Sequence, residues 1–159
     1  MDSMAMGKRA IPAMDRLAER LPQLRCAVLC TADGFNVCSI GVTEQQLGKM
    51  AALTGSLFTM GAATLASLDD DASNVTSIRR TSPGELGVLT LEASGCIIVA
   101  VQVPHATQTL VLLIAAQHTA LGVLHLRARQ SAEELGELFG SRARPAAVDR
   151  HPHHPQETP

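Results

Sequence analysis

The sequence predicts an α+β (mixed α/β) domain in which helices cover both faces of an antiparallel sheet. The first observation is a pair of almost continuously apolar runs, Cys96–Val103 and Thr109–Ala116, joined by the polar turn Pro104–Gln108. Alternate side chains of a strand point to opposite faces, so runs that are apolar at nearly every position need cover on both faces. The second observation is a long segment, Thr43–Leu68, which is apolar around most of its helical circumference and can supply that cover.

Length, charge and composition narrow the possible classes of function. The 159 residues suit one domain with tails. A formal net charge of −2 argues against nucleic acid, which proteins bind through clustered Lys and Arg. Three Phe with no Tyr or Trp leave little for base stacking. No stretch has the pattern of a signal peptide or a membrane-spanning helix, so we expect a cytoplasmic protein without membrane insertion.

The first part of the chain predicts a tail, a short helix and a hairpin. Residues 1–10 are predicted to be a flexible tail, and apolar residues at helical spacing predict a helix over Ile11–Leu21. The strands Arg25–Thr31 and Phe35–Ile40 flank the sequence Asp33-Gly34. Because both of these residue types tolerate positive φ, this pair is a strong local signal for a hairpin turn.

The long segment that follows is predicted to be a helix buried on more than one side. Thr43 and Gln46 have the spacing of a capping box at its start. Between Lys49 and Asp69 the segment is nearly free of charge, and many of its residues are Ala or Gly. Small residues allow two helices to approach closely, so we favour a homodimer that uses this helix. Burial within the same chain is the alternative.

The remaining segments complete the predicted sheet. A polar linker, 69–84, precedes a strand over Glu85–Glu92, which we expect at an edge of the sheet because it enters from the linker. The final helix is predicted from Thr119, as its cap, to about Phe139. Residues 141–159 are rich in Arg, His and Pro and are predicted to be a disordered tail.

No motif predicts catalysis, a cofactor or a metal site. The phosphate-binding, dinucleotide-binding, nucleophile-elbow and zinc-protease patterns are all missing from the sequence. The histidines of the folded region are interpreted as structural or solvated: His105, His118 and His125. The cysteines lack the spacing of zinc or redox pairs and are interpreted as small buried hydrophobes: Cys26, Cys30, Cys38 and Cys96. By elimination, the chain is a binding or assembly module.

Three segments, in this order, resemble the Roadblock family of dynein light chains and bacterial MglB-like regulators. Leu21–Gly34 is similar to the end of the family's first helix, its first strand and its Asp-Gly turn. Leu86–Ala116 resembles its three-strand meander, and Leu121–Leu135 resembles its closing helix, including the Leu-Gly opening. The resemblance covers residues 11–140, which are therefore expected to form one Roadblock-like domain.

The resemblance implies both a fold and an interface. The fold is a five-stranded antiparallel sheet with the long helix on one face and two shorter helices on the other. Family members dimerise through the long helix and the third strand, which gives a continuous sheet across two chains. Carried over to this sequence, the dimer interface comprises Met50, Leu53, Thr54, Leu57, Met60, Gly61, Leu86, Val88 and Thr90.

The function implied by the resemblance is that of a non-enzymatic dimeric regulator or scaffold. Such a protein binds a small Ras-like GTPase and modulates its nucleotide state in a bacterial cytoplasm. The first alternative is a structural adaptor in a multiprotein complex with no effect on GTP turnover. The second is a small-molecule sensor, which would need a cavity with polar anchors. Neither Arg127 nor Arg129 is nominated as an arginine finger, because exposed helix arginines are usually solvated.

Overall fold

The structure is a computed structural model that describes residues 3–71 and 87–140. Its elements, in chain order, are α1 (Ser3–Arg20), β1 (Leu24–Thr31), β2 (Asn36–Ile40), α2 (Glu44–Asp71), β3 (Val88–Ala93), β4 (Cys96–Val103), β5 (Leu110–Gln117) and α3 (Leu121–Leu138). This order confirms the predicted succession of helices and strands. The predicted tail, 141–159, and residues 72–84 of the predicted linker lie outside the described residues, whereas α2 includes the start of that linker.

The five strands form one antiparallel sheet, as predicted, and their order in the sheet is β2-β1-β5-β4-β3. The apolar hairpin lies inside it, because β5 is the middle strand and β4 is its neighbour. From Leu110 to Ala116 every side chain of β5 is buried, which explains why this run is apolar in both phases. Strand β3 lies at an edge, as expected from its position after the linker.

Two apolar layers flank the sheet and divide the helices between its faces. Helices α1 and α3 cover one face, and their core includes Leu17, Val99 and Leu112. Helix α2 covers the other face with a smaller core around Val28 and Phe58. The Arg16 guanidinium forms a salt bridge with Glu134, which joins α1 to α3 at the surface. The arrangement of one long helix opposite two shorter ones confirms the predicted fold class.

The beginning of α1 corrects the predicted N-terminal tail. The helix starts at Ser3 rather than Ile11, so the assignment of 1–10 as a tail is wrong from Ser3 onward. Met6 is only 1% exposed and Ala10 is fully buried, because this part of α1 packs against β2. The spacing of Met6, Ala10, Met14 and Leu17 continues one apolar stripe along the whole helix.

Two predicted helix starts have different outcomes. At the start of α2, the backbone N–H of Thr43 donates to Gln46 Oε1 at 3.2 Å, which is the predicted return bond of a capping box. At the start of α3, Ala120 is the N-cap and makes no side-chain capping bond. The Thr119 hydroxyl instead donates to the carbonyl of Gln117 at 3.1 Å. The prediction that Thr119 caps α3 is therefore wrong, because its hydroxyl is engaged by the preceding strand.

The Asp33-Gly34 turn is locked against α2. Gly34 has φ +88°, a conformation that side chains other than Gly rarely adopt. A methyl group on Gly55 of α2 would lie 2.5 Å from the Ala32 carbonyl oxygen and 2.9 Å from the Gly34 nitrogen. The helix can therefore rest on the turn only because position 55 has no side chain.

We expect Gly55→Ala and Gly48→Ala to change stability in opposite directions. Alanine at 55 forces backbone atoms of the turn and α2 apart, so we expect a loss of about 1–3 kcal/mol in the free energy of unfolding. Nothing lies within 4 Å of a methyl group built at Gly48, so its higher helix propensity should add about 0.5–1 kcal/mol. Urea unfolding at one fixed protein concentration measures both variants. A stabilised Gly55→Ala variant would contradict the close approach of helix and turn.

Candidate functional site

One flank of α2 presents apolar side chains that the described subunit does not cover. We define the α2 stripe as Met50, Leu53, Leu57, Met60 and Gly61. Leu53 is 48% exposed and Met60 is 66% exposed, whereas the other three residues are partly buried. A helix turns by about 100° per residue, which places all five on one side. Exposed apolar side chains grouped in this way are typical of a surface that another chain covers.

The orientation of α2 directs this stripe toward the part of the sheet that contains β3 and β4. The opposite flank of α2, with Ala52 and Gly55, lies against the β1–β2 turn. Helix α2 makes its main contacts with β1, β2 and β5, so it covers only part of its face of the sheet. Beyond it, the paired residues Leu91 and Ile98 share this face. Leu91 is 39% exposed, so the uncovered apolar surface continues from the helix onto the sheet.

The outer edge of β3 borders this surface. Strand β3 pairs with β4 along its whole length, and no strand in the described part of the chain pairs with its other edge. An open edge presents backbone N–H and C=O groups that can pair with another strand. The Thr90 hydroxyl is 2.8 Å from His125 Nε2 of α3, and this hydrogen bond holds the edge strand from the other face. His125 therefore has a structural role, consistent with its interpretation from sequence.

The structure separates the predicted interface residues into three groups. The five residues of the α2 stripe are accessible along one flank, as a shared interface requires. Thr54 is fully buried, and its hydroxyl donates to the Met50 carbonyl at 2.7 Å. It lies on the same side of the helix as Ala51 and Phe58, which face the sheet, so its side chain is not accessible to a second chain. Leu86 lies outside the described residues.

The two remaining predicted residues belong to β3 but point away from α2. Val88 packs against the core under α1 and α3, and Thr90 bonds to α3. Their backbones can contribute to an edge pairing, whereas their side chains cannot meet a helix from a second chain on the α2 side. The side chains that can do so were missed: Leu89, Leu91 and Ile98. The period-two alternation of β3 was visible in the sequence, but it does not tell which phase faces α2.

A further exposed residue on α2 was also missed. Leu65 follows Phe58 by seven residues and therefore lies on nearly the same side of the helix. Phe58 is buried, but Leu65 is 44% exposed, so the last turns of α2 extend beyond the sheet that covers its earlier turns. An apolar side chain at this position indicates cover from outside the described subunit.

Cys26, Cys30 and Cys38 are buried, as interpreted from the sequence, whereas Cys96 is partly exposed. Burial raises the pKa of the Cys30 thiol to about 12, and burial also raises the pKa values of Cys26 and Cys38. These thiols are therefore neutral near pH 7 and are poor nucleophiles. Within residues 3–71 and 87–140, no group of three or more His, Cys, Asp or Glu residues could hold a metal ion.

Helix α2 also meets the length and composition of a membrane span. One stretch, Glu44–Ser67, is apolar and long enough to cross a bilayer, although the sequence was expected to contain no such segment. Insertion would require α2 to leave the sheet, which would expose the apolar core formed by Val28, Ala51 and Phe58. A second protein chain can cover the stripe while that core stays intact. The geometry therefore favours a protein partner for this helix.

Comparisons with known proteins identify the fold through structure alone. A scan against protein-family models finds no match, and a search of curated proteins finds no relative. A Roadblock/LC7 domain from Streptomyces avermitilis has a TM-score of 0.63 at 19% identity, over 77% of this chain and 91% of that chain. The gliding protein MglB from Thermus thermophilus has a TM-score of 0.66 at 14% identity, over 87% and 93%. An MglB with a tetrameric arrangement has a TM-score of 0.63 at 18% identity, over 86% and 91%.

Proposed function

We propose, on the premise that this chain has the Roadblock/LC7 fold found in MglB proteins, that it is a non-enzymatic homodimeric regulator of a small Ras-like GTPase. The observation that carries the proposal is the continuous uncovered surface made of the α2 stripe, the sheet face around Leu91 and the open edge of β3. The protein acts in the bacterial cytoplasm by binding its partner rather than by chemistry of its own.

The dimer is proposed because this apolar surface and the edge of β3 have no cover within the described part of the chain. Two copies related by a twofold axis can bring the same surfaces together, because an isologous interface uses one patch on both subunits. The α2 stripes of the two copies then cover each other, and the two β3 edges pair into one continuous sheet. The tetrameric arrangement of one structurally similar MglB supports self-association as a property compatible with this fold.

The likeness to MglB supports regulation of a GTPase, and such regulation needs only differential binding. A partner that binds one arrangement of the switch loops more tightly than the other shifts their populations. No residue of this chain has to enter the nucleotide site. Arg127 and Arg129 lie on α3, on the opposite face of the sheet from α2, and Arg127 Nη1 donates to Gln130 at 3.0 Å. Neither arginine is assigned a catalytic role.

The proposal is tested with a purified small Ras-like GTPase from the same organism. GTP hydrolysis and nucleotide exchange by that GTPase are measured alone and with a molar excess of this protein. We expect one of the two rates to change by about tenfold or more, which corresponds to about 1.4 kcal/mol in activation free energy. A double variant of the stripe, Leu53→Glu with Met60→Glu, serves as the form that cannot dimerise.

The outcomes separate regulator from adaptor. Binding without a change in either rate would leave the dimer in place and assign the protein to the adaptor class. An absence of binding at micromolar concentrations would overturn the GTPase assignment. A rate change that the double variant reproduces in full would show that regulation does not require the dimer.

A further inference from the structure

A cleft of about 460 Å³ opens at one end of the sheet, away from the α2 stripe. Its walls come from the β1–β2 turn, from the loop before β5 and from the first half of α1. The residues that define its chemistry are Met6, Thr31, Asp33, Phe35, Gln108 and Thr109. The cleft is therefore part apolar and part polar, and it has room for a few side chains of a peptide.

The first observation that favours a binding role for this cleft is the exposed aromatic ring of Phe35. The chain contains three Phe residues; Phe58 and Phe139 are 4% and 7% exposed, whereas Phe35 is 68% exposed. A turn at this position requires no aromatic residue, and its backbone bonds can be made by any residue type. Large side chains held in water at the rim of a cleft are typical of binding anchors, where aromatic residues are enriched.

The walls that carry the polar groups are held rigidly before any partner arrives. The Thr31 N–H donates to the Phe35 carbonyl at 2.9 Å, and the Phe35 N–H donates to Thr31 Oγ1 at 3.0 Å. The Ala32 N–H donates to the Thr109 carbonyl at 2.9 Å, which joins the turn to the opposite wall. Gly34 packs against Ala52 of α2. A preorganised site loses little conformational entropy when it binds.

The carboxylate of Asp33 makes the cleft favour a positively charged group on its ligand. Among the described residues that line the cleft, Asp33 is the one that is ionisable. Its carboxylate makes no salt bridge with any residue in the described part of the chain. A guanidinium can pair with a carboxylate through two parallel bonds and stack on an aromatic face at the same time. Asp33 and Phe35, two residues apart on one rigid turn, present both partners for such a group.

We propose that this cleft is a second protein-binding site, which holds an arginine side chain and its apolar neighbours from a peptide segment of a partner protein. The arginine lies between Asp33 and Phe35, and an adjacent apolar side chain packs beside Ala32 and the Phe35 ring. Gln108 and Thr109 supply hydrogen bonds to the peptide backbone. This proposal is independent of the GTPase assignment, because none of its residues belongs to the surface that supports the dimer.

The cleft stays open when the dimer forms. The β1–β2 turn touches α2 on the Ala52 flank, opposite the α2 stripe, and β2 lies at the far edge of the sheet from β3. A dimer formed through the stripe and the β3 edge therefore leaves one cleft on each subunit. Two identical sites on one dimer allow a partner with two such segments to bind with higher avidity.

Selection of peptides on the full chain tests the proposal without assuming a sequence. A phage library of random 12-residue peptides is selected on the wild-type protein, and binders of Asp33→Asn are removed. We expect enrichment of arginine next to an apolar residue. For a selected peptide, fluorescence anisotropy should show affinity reduced by about tenfold or more in Asp33→Asn and in Phe35→Ala. Glu133→Gln, which makes the same change of charge on the exposed surface of α3, should bind as the wild type does.

Three results would overturn the proposal. The first is a selected pool with no enrichment of arginine. The second is a peptide that binds Asp33→Asn or Phe35→Ala as tightly as it binds the wild type. The third is agmatine, a small guanidinium compound, binding as tightly as the peptide, which would assign the cleft to a small cation instead of a protein. Both substituted side chains are exposed, and circular dichroism checks that the variants are folded.

Discussion

Leu53→Glu combined with Met60→Glu is expected to convert the proposed dimer into monomers. Both side chains are about half exposed or more in the single subunit, so their replacement leaves its core intact. In the dimer, burial of the exposed half of each side chain would contribute about 0.7–2 kcal/mol on each subunit, and an unpaired carboxylate in its place adds a desolvation penalty. The combined loss corresponds to a dissociation constant raised by at least about 100-fold. Light scattering coupled to gel filtration, over a range of micromolar concentrations, measures the mass.

The control for this experiment is Leu126→Glu. Leu126 is 53% exposed, close to the 48% of Leu53, but it lies on α3 on the opposite face of the sheet. The Leu126→Glu variant should therefore have the same mass in solution as the wild-type protein. A wild-type protein that is monomeric throughout the range, or a double variant that keeps the mass of a dimer, would contradict the interface assigned to the stripe.

Met6→Ala is expected to lower the free energy of unfolding by about 2–5 kcal/mol, the range for buried Met or Leu residues cut back to Ala. Met6 is 1% exposed and belongs to the main core with Leu17 and Val99. Its loss leaves a cavity between α1 and the sheet, because the surrounding side chains can close it only in part. Chemical denaturation followed by circular dichroism, at a fixed protein concentration, measures the change.

Met4→Ala is the matched control, since Met4 lies one half-turn earlier on α1 and is 71% exposed. It should change the free energy of unfolding by no more than about 0.5 kcal/mol, as is usual for surface substitutions. Equal effects of the two substitutions would mean that the start of α1 does not pack as described and that the predicted tail was the better description.

Local signals in the sequence were sufficient to predict most of the strands and turns of the sheet. The bounds of β4, Cys96–Val103, agree with the prediction at both ends, and the Asp33-Gly34 turn is where the pair predicted it. Both depend on interactions within a few residues, namely alternation of apolar side chains and tolerance of positive φ. The order of elements, together with the Roadblock resemblance, was sufficient to predict the number of strands and the division of the helices between the two faces.

The errors share a different cause, because each concerns a contact between distant segments. Met6 was left in a tail since its burial depends on β2, which lies about thirty residues later in the chain. The burial of Thr54 was not predicted, because the direction in which α2 faces the sheet is not encoded in the spacing of its residues. The phase of β3 was ambiguous for the same reason, so Val88 and Thr90 were chosen where Leu89 and Leu91 face α2.

By itself, the sequence determined that this protein builds an antiparallel sheet covered by helices and that Thr43–Leu68 is apolar around most of its helical circumference. Only the tertiary structure decided which flank of α2 remains uncovered, that β3 ends the sheet beside it, and that Asp33 and Phe35 border a cleft. The pattern of apolar residues specifies how much apolar side-chain surface must be buried. The docking of α2 on the β1–β2 turn, permitted by Gly55, selects which residues remain for a partner.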